Sequence, residues 1–226
     1  ETGKMVEQLT TTGVKSIAVV FQDDPFGKAG LKSVQGAFTK FNIKPTIEAP
    51  IDMGKLDALA ATTTEIAKTH PGAIIMITAG KASTAFIREY LKTGERPQFF
   101  GVSVLSAKAL LADLGNDAHG IVIAQVVPSP LRSSYVISKE FTATAKKANS
   151  TDTTYNSLEG YITAKVFIEA LRRAGKDLTR EKLMSALETM NNFDLGGFVV
   201  DYSGGKRVGS TFVDLSIISK SGQFMH

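Results

Sequence analysis

The chain has 226 residues, 43% of them apolar and 21% charged, which is the composition of a folded globular protein rather than of a disordered or fibrous one. Its net charge of +4 comes from Lys and Arg spread along the whole chain, which does not favour nucleic-acid binding, since that needs a clustered basic surface. The absence of cysteine excludes disulfides, thiolate metal sites and a cysteine nucleophile.

The first half of the chain alternates strand and helix patterns. Residues 16–21 (SIAVVF) form a continuous apolar run between polar turn residues, which predicts a strand buried on both faces. Asp24 is suited to cap the helix that follows and Pro25 to occupy its first turn. Apolar residues then recur at helical spacing through Phe41.

Four further strands are predicted in this half of the chain, at residues 44–49, 73–78, 98–101 and 120–127. The helices between them are predicted from Leu56 to about Thr69, over 83–91 and over 107–114. Strands that alternate with helices pair in parallel through right-handed crossovers. The five strands therefore predict a doubly wound α/β sheet.

After Pro128-Ser129-Pro130 the alternation stops. Helices are predicted at 134–148, 154–174 and 179–190, followed by strands at 198–201 and 211–218. The apolar face of the middle helix is expected to consist of Tyr161, Ala164, Phe167, Ile168 and Leu171. Because one short strand cannot cover three apolar helices, we expect a preceding segment to supply a sheet, and a processed or trimmed N-terminus at Glu1.

Three loops are candidates for a binding site. Ligands of an open parallel sheet bind outside the carboxyl ends of its strands, where 22–27 (QDDPFG), 78–83 (TAGKAS) and 102–106 (VSVLS) are expected. Each loop leads into a helix whose first amides favour an anionic group. Asp24 and Gln125 are expected at the same edge. Phe26 either stacks on a ligand or packs on its own helix, and Ser83 and Ser106 are expected to cap helices.

No catalytic constellation is present in the sequence. His70, His119 and His226 lack the spacing of metal ligands, there is no GxSxG elbow, and residues 27–30 (GKAG) lack the GK[ST] ending of a phosphate-binding loop. The sequence therefore predicts a binding protein that is not an enzyme and that has no cofactor and no metal ion.

Segments along nearly the whole chain resemble type I periplasmic binding proteins of the branched-chain amino acid (Leu/Ile/Val) family. Residues 15–38 (KSIAVVFQDDPFGKAGLKSVQGAF) are similar to the strand, Asp-containing loop, aromatic-Gly pair and helix that open the second lobe of that family. Residues 73–103 resemble the next strand, loop, helix and strand. Residues 156–190 and 193–209 are similar to the late helices and the closing hairpin.

The resemblance implies a type I periplasmic-binding-protein fold with two lobes. Residues 1–127 with 211–226 would form the second lobe, and residues 128–210 the C-terminal part of a first lobe whose N-terminal part is absent. It also implies a periplasmic, solute-binding component of an ABC importer, which closes about a hinge around a small organic ligand and presents it to membrane permease subunits. An exposed helical face implies that the fragment can dimerise.

The resemblance also implies roles for single residues. Phe26 matches the aromatic position that packs on ligand, and Ala79 or Gly80 falls where amino-acid binders often carry a second aromatic. Ser103 falls where they carry an acidic residue that faces the ammonium group of the ligand. Because an unpaired buried charge is costly, the lack of a carboxylate there favours an uncharged or anionic ligand, such as an aromatic or aliphatic carboxylate, over a standard α-amino acid.

Two other functions are compatible with a similar fold. A ligand-sensing domain of a transcription regulator or receptor would be flanked by a helix-turn-helix or a membrane span. A nucleotide-dependent enzyme would need a Gly-rich phosphate loop after the first strand, which QDDPFGKAG does not supply.

Overall fold

The computed structural model describes residues 1–52, 54–55, 58–132, 134–220 and 224–225. The chain divides into two compact units, a first unit of Glu1–Gln125 with Leu215–His226 and a second unit of Val126–Asp214. The boundaries between the units lie after Gln125 and after Asp214, whereas the resemblance implied boundaries after residues 127 and 210. The predictions for Leu56 and His226 lie outside the described residues.

The first unit alternates helices and strands. Its elements are α1 (Thr2–Thr11), β1 (Ile17–Gln22), α2 (Pro25–Phe41), β2 (Ile47–Ile51), α3 (Leu59–Ala67), β3 (Ala73–Ile77), α4 (Lys81–Leu91), β4 (Gln98–Gly101), α5 (Ala107–Leu114) and β5 (Val122–Gln125). β4 and α5 have the predicted bounds. β2 begins three residues later than predicted, at Ile47 rather than at residue 44, and α4 begins two residues earlier, at Lys81 rather than at residue 83.

The second unit is mainly helical. It contains α6 (Val136–Lys147), α7 (Tyr155–Ala174), α8 (Arg180–Glu188), β6 (Phe193–Asp194) and β7 (Val199–Val200), after which β8 (Asp214–Ile218) and β9 (Phe224–Met225) complete the chain. The hydroxyls of Thr154 and Thr179 cap α7 and α8, because they accept the N–H groups of Ser157 and Lys182. β6 and β7 pair antiparallel within residues 193–209, the segment that the resemblance assigned to the closing hairpin. The strand β9 was missed, since two residues are too few to show an alternating pattern.

One sheet of seven strands carries the first unit, in the order β2-β1-β3-β4-β5-β8-β9. β1 pairs in parallel with both β2 and β3, and β3–β4 and β4–β5 are parallel as well. The predicted doubly wound parallel sheet is confirmed, with the addition of an antiparallel β8–β9 pair. Every residue of β1 and β3 is buried, as expected for central strands that are covered on both faces.

The predicted apolar face of α7 is not the buried one. Its buried residues are Tyr155, Leu158, Ile162, Val166 and Ala170, whereas Phe167 and Ile168 are 50% and 63% exposed. The prediction was wrong because α7 is apolar on two sides and buries mainly one of them against α6 and α8. Of the predicted side, Tyr161 still contacts Phe141 of α6, with ring centroids 5.5 Å apart. In the described part of the second unit, no strand longer than the two-residue β6 and β7 lies ready to cover the other side.

Candidate functional site

The strand order places a topological switch point between β1 and β3. From β1 the chain crosses to β2 on one side, and it then returns to β3 on the other. In open α/β sheets, ligands bind outside the carboxyl ends of the strands at such a point. A ligand site is therefore expected at the loops that follow β1 and β3.

The loop after β1 is shaped by the cap of α2. Asp24 has an extended backbone, and its Oδ1 accepts the N–H of Gly27 at 2.8 Å, while Pro25 fills the first helical turn. The predicted cap at Asp24 and the predicted position of Pro25 in the first turn are confirmed. This geometry leaves the side chain of Phe26 41% exposed in the first turn of the helix. Because the N–H of Gly27 donates to Asp24, it is not free to bind an anion.

A cavity of about 270 Å³ opens beside Phe26. Apart from Glu1 and two hydroxyl side chains its lining is apolar, and it consists of Glu1, Thr2, Phe26, Ala29, Gly30, Ser33, Ile77, Val102 and Val104. The hydroxyls of Thr2 and Ser33 hydrogen-bond to each other at 2.8 Å. Gly30 allows α2 to approach β3, because a Cβ at this position would lie 2.3 Å from Cγ2 of Ile77. A space of this size and polarity suits a small organic molecule.

Ser103 is hydrogen-bonded to the carboxylate of Glu1. Its backbone N–H and its hydroxyl donate to the two carboxylate oxygens of Glu1 at 2.6 and 3.1 Å. The expectation that this position lacks a negative charge is therefore wrong, because a residue 102 positions away supplies one from the start of α1. The argument against an amino-acid ligand, which rested on that absence, loses its basis.

The loop after β3 turns at Gly80, whose φ of +53° and ψ of −132° are readily adopted only by glycine. The N–H of Ala79 donates to Oε1 of Gln22 at 2.6 Å, so this amide is also used within the protein. Ser83 was predicted to cap α4, but it lies inside that helix and its hydroxyl bonds to Thr78 at 2.7 Å. That prediction was wrong because the helix begins earlier, with Gly80 at the cap.

The remaining predicted residues have other partners. Ser106 caps α5 as predicted, with its Oγ 3.4 Å from the N–H of Ala109. Gln125 is 3% exposed, and its side-chain amide donates to the hydroxyl of Ser216 at 2.8 Å, which joins β5 to β8 rather than lining the cavity. Ligand contacts of Phe26, Ala79, Gly80, Ser103, Gln125 and Asp24 stay predictions.

The largest pKa shifts lie outside this cavity. Burial raises the pKa of Tyr90 to about 12. Hydrogen bonds from Arg172 and Arg173 hold the pKa of Glu169 at about 2. Hydrogen bonds from Lys206 and Ser203 hold the pKa of Asp201 at about 2. His70 lies on the surface with Nδ1 3.0 Å from Glu95. Among the described residues, no group of three or more His, Asp or Glu side chains could hold a metal ion.

Sequence reasoning missed Glu1, and it placed Gln22 in a candidate loop without predicting its role. The only local signal for Gln22 was a polar residue at the end of the apolar run of β1, and its partner Ala79 lies 57 positions away. Glu1 gave no signal, since it precedes a helix with no motif around it.

The family of the chain follows from its match to known proteins. Residues 1–212 match the model of a family described as periplasmic binding protein. The chain belongs to the periplasmic binding protein family. No curated protein sequence matches it at a significant level. Within the described residues, no helix combines the length and the apolar character needed to cross a membrane.

Solved structures of periplasmic binding proteins superpose on the whole chain. They include a substrate-binding periplasmic protein from Ralstonia solanacearum (28% identity, TM-score 0.88), an extracellular ligand-binding receptor from Verminephrobacter eiseniae (28%, 0.87) and a possible leucine/isoleucine/valine-binding protein from Rhodopirellula baltica (25%, 0.89). Each covers 100% of this chain, which spans 65%, 65% and 63% of theirs. The predicted relationship and the type I fold are confirmed, and these relatives are named as binding proteins or receptors rather than as enzymes.

Proposed function

We propose that this chain is part of the periplasmic solute-binding protein of an ABC importer, which captures a small organic ligand and releases it unchanged to membrane permease subunits. The observation that carries the proposal is the apolar cavity beside Phe26, located at the switch point of the sheet. Family membership supports a binding role, and the proposal assigns no catalytic step and no cofactor to the cavity.

The chemistry of the lining favours a ligand with an apolar or aromatic body and a polar end. The ring of Phe26 offers a stacking surface, and Ile77, Val102 and Val104 offer apolar contact. Each oxygen of the Glu1 carboxylate accepts a hydrogen bond from Ser103 and retains a lone pair for another donor. An ammonium group would therefore find a counter-charge here, which makes amino acids candidates beside aromatic and aliphatic carboxylates.

Isothermal calorimetry on the intact protein tests this function, with a panel of L-amino acids and of aromatic and aliphatic carboxylates. We expect one class to bind with 1:1 stoichiometry. Phe26→Ala should weaken that binding roughly threefold to tenfold, the loss expected for one aromatic contact. Phe167→Ala, an exposed phenylalanine of the second unit, is the matched control and should leave the affinity unchanged.

Glu1→Gln separates the ligand classes in the same experiment. If an amino acid binds, loss of the carboxylate charge should weaken it, whereas a ligand without an amino group should bind equally well or better. A panel in which nothing binds, or a ligand that is recovered chemically changed, would contradict the proposed function.

A further inference from the structure

Gln22, the last residue of β1, joins two loops of the candidate site through its side chain. It is 8% exposed, its Oε1 accepts the N–H of Ala79 at 2.6 Å, and its Nε2 donates to Oδ2 of Asp24 at 2.8 Å. The orientation of the amide is settled by chemistry, because an N–H can only donate and a carboxylate can only accept. The other oxygen of Asp24 holds the N–H of Gly27.

These three hydrogen bonds form one continuous connection from the loop after β3 to the first turn of α2. Phe26 lies between Asp24 and Gly27, at one end of the connection, and Gly80 follows Ala79 at the other. The backbone pairing of β1 with β3 ends at Phe21 and Ile77, before either loop begins. Beyond the end of this ladder, the side chain of Gln22 bridges the two loops.

We propose that Gln22 is a positioning residue of the ligand site, which holds the turn of Phe26 and the Ala79–Gly80 loop at a fixed spacing without touching the ligand. This inference rests on the proposed function. A loop that turns on a glycine has many conformations to lose when it is ordered. The apparent affinity falls in proportion to the fraction of molecules whose site is correctly formed. Loss of the bridge should therefore weaken binding even though every ligand contact remains.

The bridge itself can be tested without any ligand. Gln22→Met keeps a side chain of similar size but cannot form either hydrogen bond. We expect the amide of Ala79 to exchange with solvent at least about tenfold faster in this variant, while the amides of β3 keep their rates. Gln35→Met is the matched control: Gln35 is exposed, and its amide donates to Glu48 at 2.9 Å, away from the site. It should leave the exchange of Ala79 unchanged.

Affinity for the ligand found by the panel provides the second readout. Gln22→Met should weaken binding about threefold to tenfold, as expected if the site is correctly formed in a tenth to a third of the molecules. Gln22→Glu should bind poorly at neutral pH, where two carboxylates face each other, and recover as the pH falls. A protonated carboxyl group can donate to Asp24 and still accept from Ala79. A melting temperature of Gln22→Glu that stays constant over the same pH range separates this recovery from a change in global stability.

The outcomes are distinguishable. An unchanged exchange rate of Ala79 in Gln22→Met would show that the bridge does not hold the loop, and faster exchange with unchanged affinity would show that the bridge has no role in binding. Either result would overturn the proposal while the proposed function stands. If the wild-type protein binds nothing in the panel, the proposed function fails, and the role of Gln22 in it fails as well.

Discussion

The two units of this protein bury their apolar residues in different ways. In the first unit, every residue of the strands β1 and β3 is buried, and the fully buried set also includes Phe86, Tyr90 and Phe100. In the second unit, several large apolar side chains are exposed to solvent, among them Val136, Phe167 and Ile168. The first unit is thus locally complete, whereas the described part of the second unit leaves apolar surface open.

The difference arises because strands and helices need different amounts of apolar cover. A parallel strand is stable only with cover on both faces, and the alternating helices supply that cover from nearby sequence. A helix needs to bury only one side, so α7 can fold against α6 and α8 and still expose an apolar side. Patches of this kind usually mark an interaction surface. That a preceding segment covers it stays a prediction.

Truncation of one phenylalanine in each unit should give the largest contrast. Phe86→Ala should destabilise the first unit by about 3–5 kcal/mol, because Phe86 is fully buried and the change leaves a cavity. Phe167→Ala should change the stability of the second unit by less than about 0.5 kcal/mol, because half of the side chain is already in water. Hydrogen exchange in urea measures both units separately.

If Phe86→Ala does not fold, Phe86→Leu allows the same comparison with a smaller loss. A loss for Phe167→Ala as large as that for Phe86, measured on the 226-residue chain, would break the comparison, because it would mean that this chain itself covers the exposed side of α7.

A pair of glycines in α2 should give the next largest effect. A Cβ on Gly27 would lie 1.9 Å from the carbonyl oxygen of Gln22, whereas Gly36 on the same helix has nothing within 4 Å. Gly27→Ala should therefore cost about 1–3 kcal/mol through overpacking. Gly36→Ala should stabilise by about 0.5–1 kcal/mol, since it removes glycine from a helix interior.

Gly160→Ala in α7 extends this test to the second unit. A Cβ at Gly160 would also have nothing within 4 Å, so this substitution should stabilise the protein as Gly36→Ala does. Thermal unfolding of the three alanine variants measures the differences. Equal melting temperatures for the Gly27 and Gly36 variants would contradict the close approach of α2 to β1.

Much of the fold could be predicted because local signals and packing agree. The apolar runs of β1 and β3 have the length of buried strands, and Asp24-Pro25 marks the start of α2 to the residue. The buried side of α7 could not be predicted, because periodicity reveals apolar positions but not which of two apolar sides has a partner. The predicted start of β2, at residue 44, was wrong for a related reason: the apolar pattern around Ile47 is weak and does not mark where the strand begins.

The candidate site was less predictable than the fold. The place of Phe26 followed from its neighbours in sequence, because a capped turn fixes the start of its helix. The bond from Ser103 to Glu1 and the bond from Ala79 to Gln22 join residues 102 and 57 positions apart. Such pairs depend on how the chain closes in space, and no spacing rule in one sequence reveals them.

The smallest expected effect concerns a charge cluster on α7 of the second unit. The carboxylate of Glu169 accepts hydrogen bonds from the guanidinium groups of Arg172 and Arg173 at 2.7–2.9 Å, and these bonds hold its pKa at about 2. Since the folded pKa lies below the ordinary value of 4.5, the stabilisation is present above pH 4.5 and is lost as the pH falls toward 2.

Glu169→Gln should lower the stability of the second unit at pH 7 by about 0.3–0.5 kcal/mol per pair, because Arg172 is largely solvated and salt screens the interaction. Below about pH 2 the variant and the wild type should be equally stable. The exchange rates of β1 and β3 should not change at either pH, since no residue of the first unit takes part in these hydrogen bonds. An equal shift in both units would mean that they unfold together, and the contrast between a complete and an open unit would then describe packing but not stability.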